Sequence, residues 1–238
     1  MRIACIGRNG QTAQALAAVA AGDASITLVQ GGSAEVDLRD AASLVRFVNA
    51  AKADVVVNTG AYNFVDRAES ETELALAINA KGPRALARHC RKSGLPFIHM
   101  STDCVFSGDK VGLYTEGDAP DPASAYGRSK FAGERAVAEE YPEALTVRVA
   151  WVFSEYAENF VTKMISFSRT QPVLRVVNDQ VGPPTYAPDI AAALIRIARE
   201  KVAGASDLSG LMHVVSADAV VRSDMAAAIM DESRRQGG

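Results

Sequence analysis

The chain has 238 residues, 48% of them hydrophobic and 22% charged, with a net charge of −3. That balance fits one globular α/β unit with a small appendage, and it offers no basic surface for nucleic acid or an anionic membrane. Three cysteines, Cys5, Cys90 and Cys104, lack metal spacing, so no metal is expected and reduced thiols point to a cytoplasmic protein. No apolar run has the length of a membrane span, and no leader pattern precedes the first strand.

In chain order, a short apolar strand at Ile3–Ile6 runs into Gly7-Arg8-Asn9-Gly10-Gln11-Thr12-Ala13 and then an alanine-rich helix, Thr12–Ala21. Glycine permits close backbone approach and a helix N-terminus carries partial positive charge, so this turn reads as a phosphate seat for a dinucleotide. A purely structural turn is the alternative. The next strand, Ile26–Gln30, should end at the adenosine ribose, where an acid would bind the 2′-hydroxyl of NAD. The strand ends Leu28-Val29-Gln30-Gly31 with no acid, and Arg8 is a candidate partner for a 2′-phosphate. The cofactor expected is therefore NADPH, with NADH as the alternative and an exposed loop charge as the other reading of Arg8.

A helix at Asp40–Ala51, with Asp40 in the N-cap place, leads to a strand at Val55–Val57. One long helix, Thr72–Ser93, is closed by Gly94 and Pro96. A strand at Phe97–Met100 delivers Ser101-Thr102-Asp103, a helix at Ala125–Glu140 ends before Pro142, and a strand follows at Val147–Ala150. Apolar strands alternating with helices imply a doubly wound, Rossmann-type parallel sheet covered on both faces, assigned to residues 1–150. Residues 151–238 are expected to form a small substrate-binding part: helix Asn159–Ser168, strand Val173–Val177, a breaker-rich loop at 179–185, helix Asp189–Glu200, strand Met212–Val215 and helix Ser223–Arg234. His89, His99 and His213 are scattered and read as structural.

Tyr126 and Lys130 lie one turn apart on one face of the Ala125–Glu140 helix. An ammonium beside a phenol favours phenolate, so Lys130 is expected to lower the Tyr126 pKa and suit it to exchange a proton with a carbonyl oxygen. Thr102 would hold the same oxygen. A solvated surface pair is the alternative, and the glycine turn at the N-terminus weighs against it.

Further blocks accompany these: Asp37-Leu38-Arg39-Asp40; Asn58-Thr59-Gly60-Ala61-Tyr62, with Val65, Asp66, Ala68 and Glu69; Ile78-Asn79-Ala80; Thr102-Asp103-x-Val105-Phe106; Tyr126-Gly127-x-x-Lys130-x-x-Gly133-Glu134; Arg148-x-x-Trp151-Val152-Phe153; Asn159-Phe160; and Asn178-Asp179-Gln180-x-Gly182-x-Pro184-Thr185. In this order they resemble the dTDP-4-dehydrorhamnose reductase family of the extended short-chain dehydrogenase/reductase superfamily.

The resemblance implies NADPH-dependent reduction of the C4 ketone of a dTDP-sugar. It implies that Gly7, Gly10, Gln11 and nearby amides hold the pyrophosphate, with Arg8, Asn9 and Thr12 also on the cofactor, and that Asp37 and Leu38 approach the adenine. Thr59, Gly60, Ala61 and Tyr62 would line the cofactor path. Thr102 and Asp103 would flank the carbonyl, Tyr126 would donate the proton, and Lys130 would bind the nicotinamide ribose. Val65, Trp151, Asn159, Gln180 and Thr185 would face the sugar nucleotide. A homodimer through the Tyr126 helix also follows from it. Dull alternatives stand beside these roles: Asn159 as a helix cap, Trp151 as core, Asp103 as a turn cap. The chain departs from the family at Cys104, where an aromatic is usual, at Ala13 in place of a glycine, and in a C-terminal part shorter than the family's. Two other readings are a cofactor-binding regulatory subunit of the methionine adenosyltransferase type and another sugar-nucleotide reductase or epimerase.

Overall fold

The computed structural model describes residues 1–237. Strand β1 (Arg2–Ile6) and helix α1 (Gln11–Ala21) open the chain, followed by β2 (Thr27–Gly31), α2 (Ala41–Ala51) and β3 (Val55–Asn58). Then come α3 (Thr72–Leu76), α4 (Gly82–Ser93), β4 (Phe97–Thr102), α5 (Ala125–Glu140) and β5 (Leu145–Val149). The later part holds β6 (Val152–Phe153), α6 (Phe160–Ser168), β7 (Val181–Gly182), β8 (Thr185–Tyr186), α7 (Ala187–Val202), β9 (Gly210–His213), β10 (Val220–Val221) and α8 (Arg222–Arg235).

Six parallel strands form the main sheet in the order β2-β1-β3-β4-β5-β9. Successive side chains of a strand point to opposite faces, so β1 divides its residues between two cores. Ile3 and Cys5 meet Leu16 of α1 and Ile190 and Leu194 of α7. Ala4 and Ile6 meet Leu44 and Val48 of α2 and Leu86 of α4. Both faces are thereby covered, the condition for a parallel sheet. The chain after Val149 does two things. Helix α7 and strand β9 return to the main sheet, while β6 pairs with β8 and β10 with β7 in two small ladders beside it.

Asp40 caps α2 by accepting from the Ala42 N–H, and Gly94 ends α4 in the left-handed region at φ +64°. Three expectations fail. The single helix over 72–93 is broken by a π-helical turn at Ala77–Lys81. There the Asn79 side chain serves the Tyr62 backbone and Ser129, and Pro83 lacks the N–H a regular ladder needs. Residues 173–177 form no strand, since no neighbouring edge reaches their backbone groups. The loop at 179–185 instead contributes β7 and the start of β8.

Helix α5 lies unusually close to its neighbours. A Cβ on Gly133 would overlap the Asn79 carbonyl oxygen, and one on Gly127 would overlap the Cys104 carbonyl. These two contacts press the helix carrying Tyr126 and Lys130 against the π turn and the end of β4.

Candidate active site

The strand order reverses between β1 and β3, the point at which open α/β sheets take ligands in the crevice beyond the carboxyl ends of their strands. Gly7 follows β1 at φ +122°, a conformation that favours glycine, and a Cβ there would overlap Thr59 Oγ1. Thr59 itself is pinned, its N–H and hydroxyl both donating to the Ile6 carbonyl. Gly10 caps α1 without any side-chain bond, and the first turn carries no acid. Its backbone N–H groups are therefore offered to an anion. Ala13 is buried where α1 meets the sheet. Asn9, whose carbonyl accepts from Gln14, lies exposed in the turn beside half-buried Thr12. Gln11 bridges to the later part of the chain, donating to the Val152 carbonyl at 3.1 Å and accepting from Ser154 at 2.9 Å. Leu38 threads between Gly60 and Gly82, where a Cβ on either would press on it, while Asp37 pairs with Arg39. Ala61 is half-buried, and the Tyr62 hydroxyl donates to Glu71 at 2.5 Å.

An acid does stand at the ribose end of β2, contrary to the sequence reading. Glu35 folds back so that its carboxylate accepts from the Gly32 N–H at 2.9 Å and from Arg8 at 2.7 Å. Arg8 also donates to the Gln30 carbonyl. Both side chains stay two-fifths exposed, and Arg8 holds the Glu35 carboxyl below its ordinary pKa. The acid escaped notice because it sits past the strand, in a turn that only the Gly31-Gly32 pair hints at.

Thr102 ends β4, Asp103 follows it, and Tyr126 and Lys130 sit on α5; all are buried or nearly so. Lys130, 3% exposed, donates to the Met100 carbonyl at 2.7 Å. Thr102 donates to Asp103 at 3.0 Å, and the Tyr126 hydroxyl reaches Asn63 Oδ1 only at 3.5 Å. Asn63 is a neighbour that the sequence reading did not single out; its only signal was adjacency to Tyr62.

The expected lowering of the Tyr126 pKa is reversed. Burial raises it, the Cys104 and Asp103 charges raise it further, and only Thr102 opposes. Desolvation of a buried phenolate dominates, and Lys130, bonded to the Met100 carbonyl, is not among the groups that oppose it. Tyr126 therefore rests protonated, the form a proton donor needs. Burial also raises the Asp103 pKa, against Thr102 and Arg222, which lower it.

Burial pulls the Lys130 pKa down to about 8, against the pull of Glu134. The folded state thus releases its proton more readily than the unfolded chain, so this burial costs stability below about pH 8, and the cost fades as pH rises toward the free value of 10.5. Lys130→Met should accordingly raise stability at pH 7 by about 1–3 kcal/mol while impairing turnover and cofactor binding. Urea melts at pH 7 and pH 10.5 check this; a gain that does not shrink at the higher pH refutes the burial argument.

The remaining residues divide. Trp151 is held at φ +44°, its indole against Gly182, where any Cβ would overlap it, and its carbonyl accepts from Thr185. A non-glycine residue kept in that region signals a position the surroundings impose. Thr185 is buried, donating to Pro183 and accepting from Ser216. The Asn159 side chain is spent on backbone: it accepts from Val161 and Thr162 and donates to Ser154 and Ala157. Gln180 is exposed, its carbonyl accepting from the Arg222 N–H, and Val65 is exposed beyond the cofactor path.

The model of the RmlD substrate binding domain matches residues 1–237. The chain belongs to the dTDP-4-dehydrorhamnose reductase family. Within that family it is similar to the Sinorhizobium fredii reductase, at 43% identity over 90% of this chain and 72% of the relative. It is similar to the Mycobacterium tuberculosis reductase, at 38% identity over 97% of this chain and 75% of that one. The solved reductase of Bacillus anthracis, crystallised with NADP, superimposes with a TM-score of 0.90 at 30% identity, covering 98% of this chain and 80% of that one. The Clostridium acetobutylicum reductase gives 0.89 at 32% identity, with 97% and 80% covered. Among the described residues no helix is long and apolar enough to cross a membrane.

Proposed function

We propose that this chain reduces the 4-ketone of dTDP-4-dehydro-L-rhamnose to dTDP-L-rhamnose with NADPH. The observation that carries the reading is a buried, protonated tyrosine with a buried lysine one turn along, beside a crevice whose Gly7 leaves space no side chain can share. That crevice fits a dinucleotide: the α1 N-terminus and the turn Gly7–Gln11 would hold the pyrophosphate, and Thr59, Gly60, Ala61 and Leu38 the path behind it. When bound, the reduced nicotinamide supplies hydride. Tyr126 gives its proton to the oxygen that gains negative charge at C4. Thr102, bonded here to Asp103, would hold the same oxygen, and Lys130, bonded here to the Met100 carbonyl, would bind the nicotinamide ribose. Trp151, Gln180 and Thr185, in residues 151–238, bound the sugar nucleotide. Asn159 supports them through the backbone it caps.

Following NADPH oxidation with dTDP-4-dehydro-L-rhamnose made in situ tests the reading. Turnover supports it. Tight NADPH binding without turnover would instead favour a regulatory subunit, a role for which the family relatives offer no support. A cytoplasmic location and a homodimer belong to the same proposal; the exposed side of α5 presents Arg128, Arg135 and Glu139, each already in an ion pair within the chain.

The Arg8–Glu35 pair also sets an expectation for cofactor choice. Glu35 can accept from the 2′-hydroxyl of NADH, and its charge repels a 2′-phosphate that Arg8 would attract. Glu35→Gln should raise the NADPH-over-NADH ratio of kcat/KM by about 5- to 20-fold, in line with removing one like charge beside a phosphate. An unchanged ratio would remove the pair from the specificity site.

A further inference from the structure

The half-buried arginines divide sharply. Arg84 and the buried Arg148 each pair with glutamate. Arg222, also half-buried, has no ion pair and no guanidinium hydrogen bond among the described residues. Its position is nevertheless tightly set. The β10 ladder aligns Val220 with Gly182 and Val221 with Val181, and the Arg222 N–H donates to the Gln180 carbonyl at 2.9 Å. Gly182 in turn abuts the Trp151 indole. The guanidinium lies 3.4 Å from the centroid of the Trp151 ring and 4.9 Å from that of Phe160.

Two aromatic rings hold the guanidinium by its faces and leave its N–H edge without an acceptor. A cation half out of water with unmet donors is costly to keep unless something supplies acceptors. The acid it feels is Asp103, beside the reacting group, yet the two make no ion pair. The charge therefore lies on the Trp151 side, within the field of Asp103, which follows Thr102 at the end of β4.

We propose that Arg222 grips the diphosphate of the nucleotide-sugar substrate, with Trp151 and Phe160 as the shelf that fixes its fork. The proposal rests on the function proposed above, because a substrate whose ketone lies at Tyr126 and whose nucleoside lies outside must pass two phosphates between them. A planar fork with paired N–H groups matches phosphate oxygens bidentately, and a fork immobilised in advance loses little freedom on binding.

Calorimetric titration of dTDP, thymidine and NADPH into the wild-type chain, Arg222→Met and Arg222→Lys tests this. Arg222→Met should weaken dTDP binding about 10- to 100-fold, leave thymidine and NADPH affinities within about twofold, and raise KM for the sugar nucleotide more than it lowers kcat. Arg222→Lys keeps the charge and the fold but not the fork, and should recover part of the loss. Unchanged dTDP affinity in Arg222→Met overturns the proposal, as does an equal loss for thymidine. A shifted pH profile of kcat with dTDP binding intact also overturns it, assigning Arg222 to positioning Asp103. A wild-type chain that binds no dTDP would defeat the substrate reading itself.

Discussion

Tyr126→Phe should lower NADPH-dependent turnover by about 10²–10⁴ while leaving cofactor affinity within about twofold. Phenylalanine fills the same volume, so no cavity opens, and the hydroxyl's recorded contact is a long one to Asn63 at 3.5 Å. Stability should therefore change by less than about 1 kcal/mol. What disappears is the buried phenolic proton proposed to pass to the ketone oxygen. Because burial raises the phenol pKa, Tyr126 stays protonated across the neutral range. Lys130, with a pKa of about 8, titrates first. In the wild-type chain kcat/KM should be level at neutral pH and fall as pH rises through about 8, where the ammonium proposed to anchor the ribose is lost. A Tyr126→Phe variant with near-normal rates would remove the tyrosine from the chemistry.

Glu134→Gln should destabilise the fold by about 3–5 kcal/mol. Glu134 on α5 and Arg148 on β5 form a two-pronged pair at 2.8 and 2.6 Å, with only 8% and 4% of their side chains exposed. Arg148 also lies over the Phe106 ring, 4.8 Å from its centroid. Taking away the carboxylate charge leaves a buried guanidinium without its counter-charge, which costs more than the pair contributes. The double variant Glu134→Gln/Arg148→Met should recover most of the loss, since neither charge then remains buried. Urea unfolding of the single and double variants decides; a single-variant cost below about 1 kcal/mol would mean the pair is solvated in practice. The same substitution should pull the Lys130 pKa further down, because Glu134 is the charge that opposes its fall.

Much of the architecture was legible because its signals are local. The Ile3–Ile6 strand, the glycine turn, the Asp40 cap and the Gly94 stop each act within a few residues, and the folded chain keeps them. Apolar Val173–Val177 misled because a strand needs an edge to pair with, which composition cannot report. The helix over 72–93 misled because the demand on Asn79 comes from Tyr62 and Ser129, neither of them a sequence neighbour. The site followed the same division. One-turn spacing put Tyr126 and Lys130 on a common face, but the direction of the tyrosine's pKa depended on how deeply α5 is pressed in at Gly127 and Gly133.

By itself the sequence determined the order of the first five strands and the helices between them, a glycine turn suited to phosphate and the residue types proposed to react, since short-range propensity and periodicity carry that information. Only the tertiary structure decided which charges meet: Glu35 turned back onto Arg8, Lys130 bonded to a backbone carbonyl, Arg222 laid on Trp151 from the far end of the chain. The reason is physical. Solvation and electrostatics are set by whatever packs nearby in space, and the residues that pack together here lie far apart along the chain.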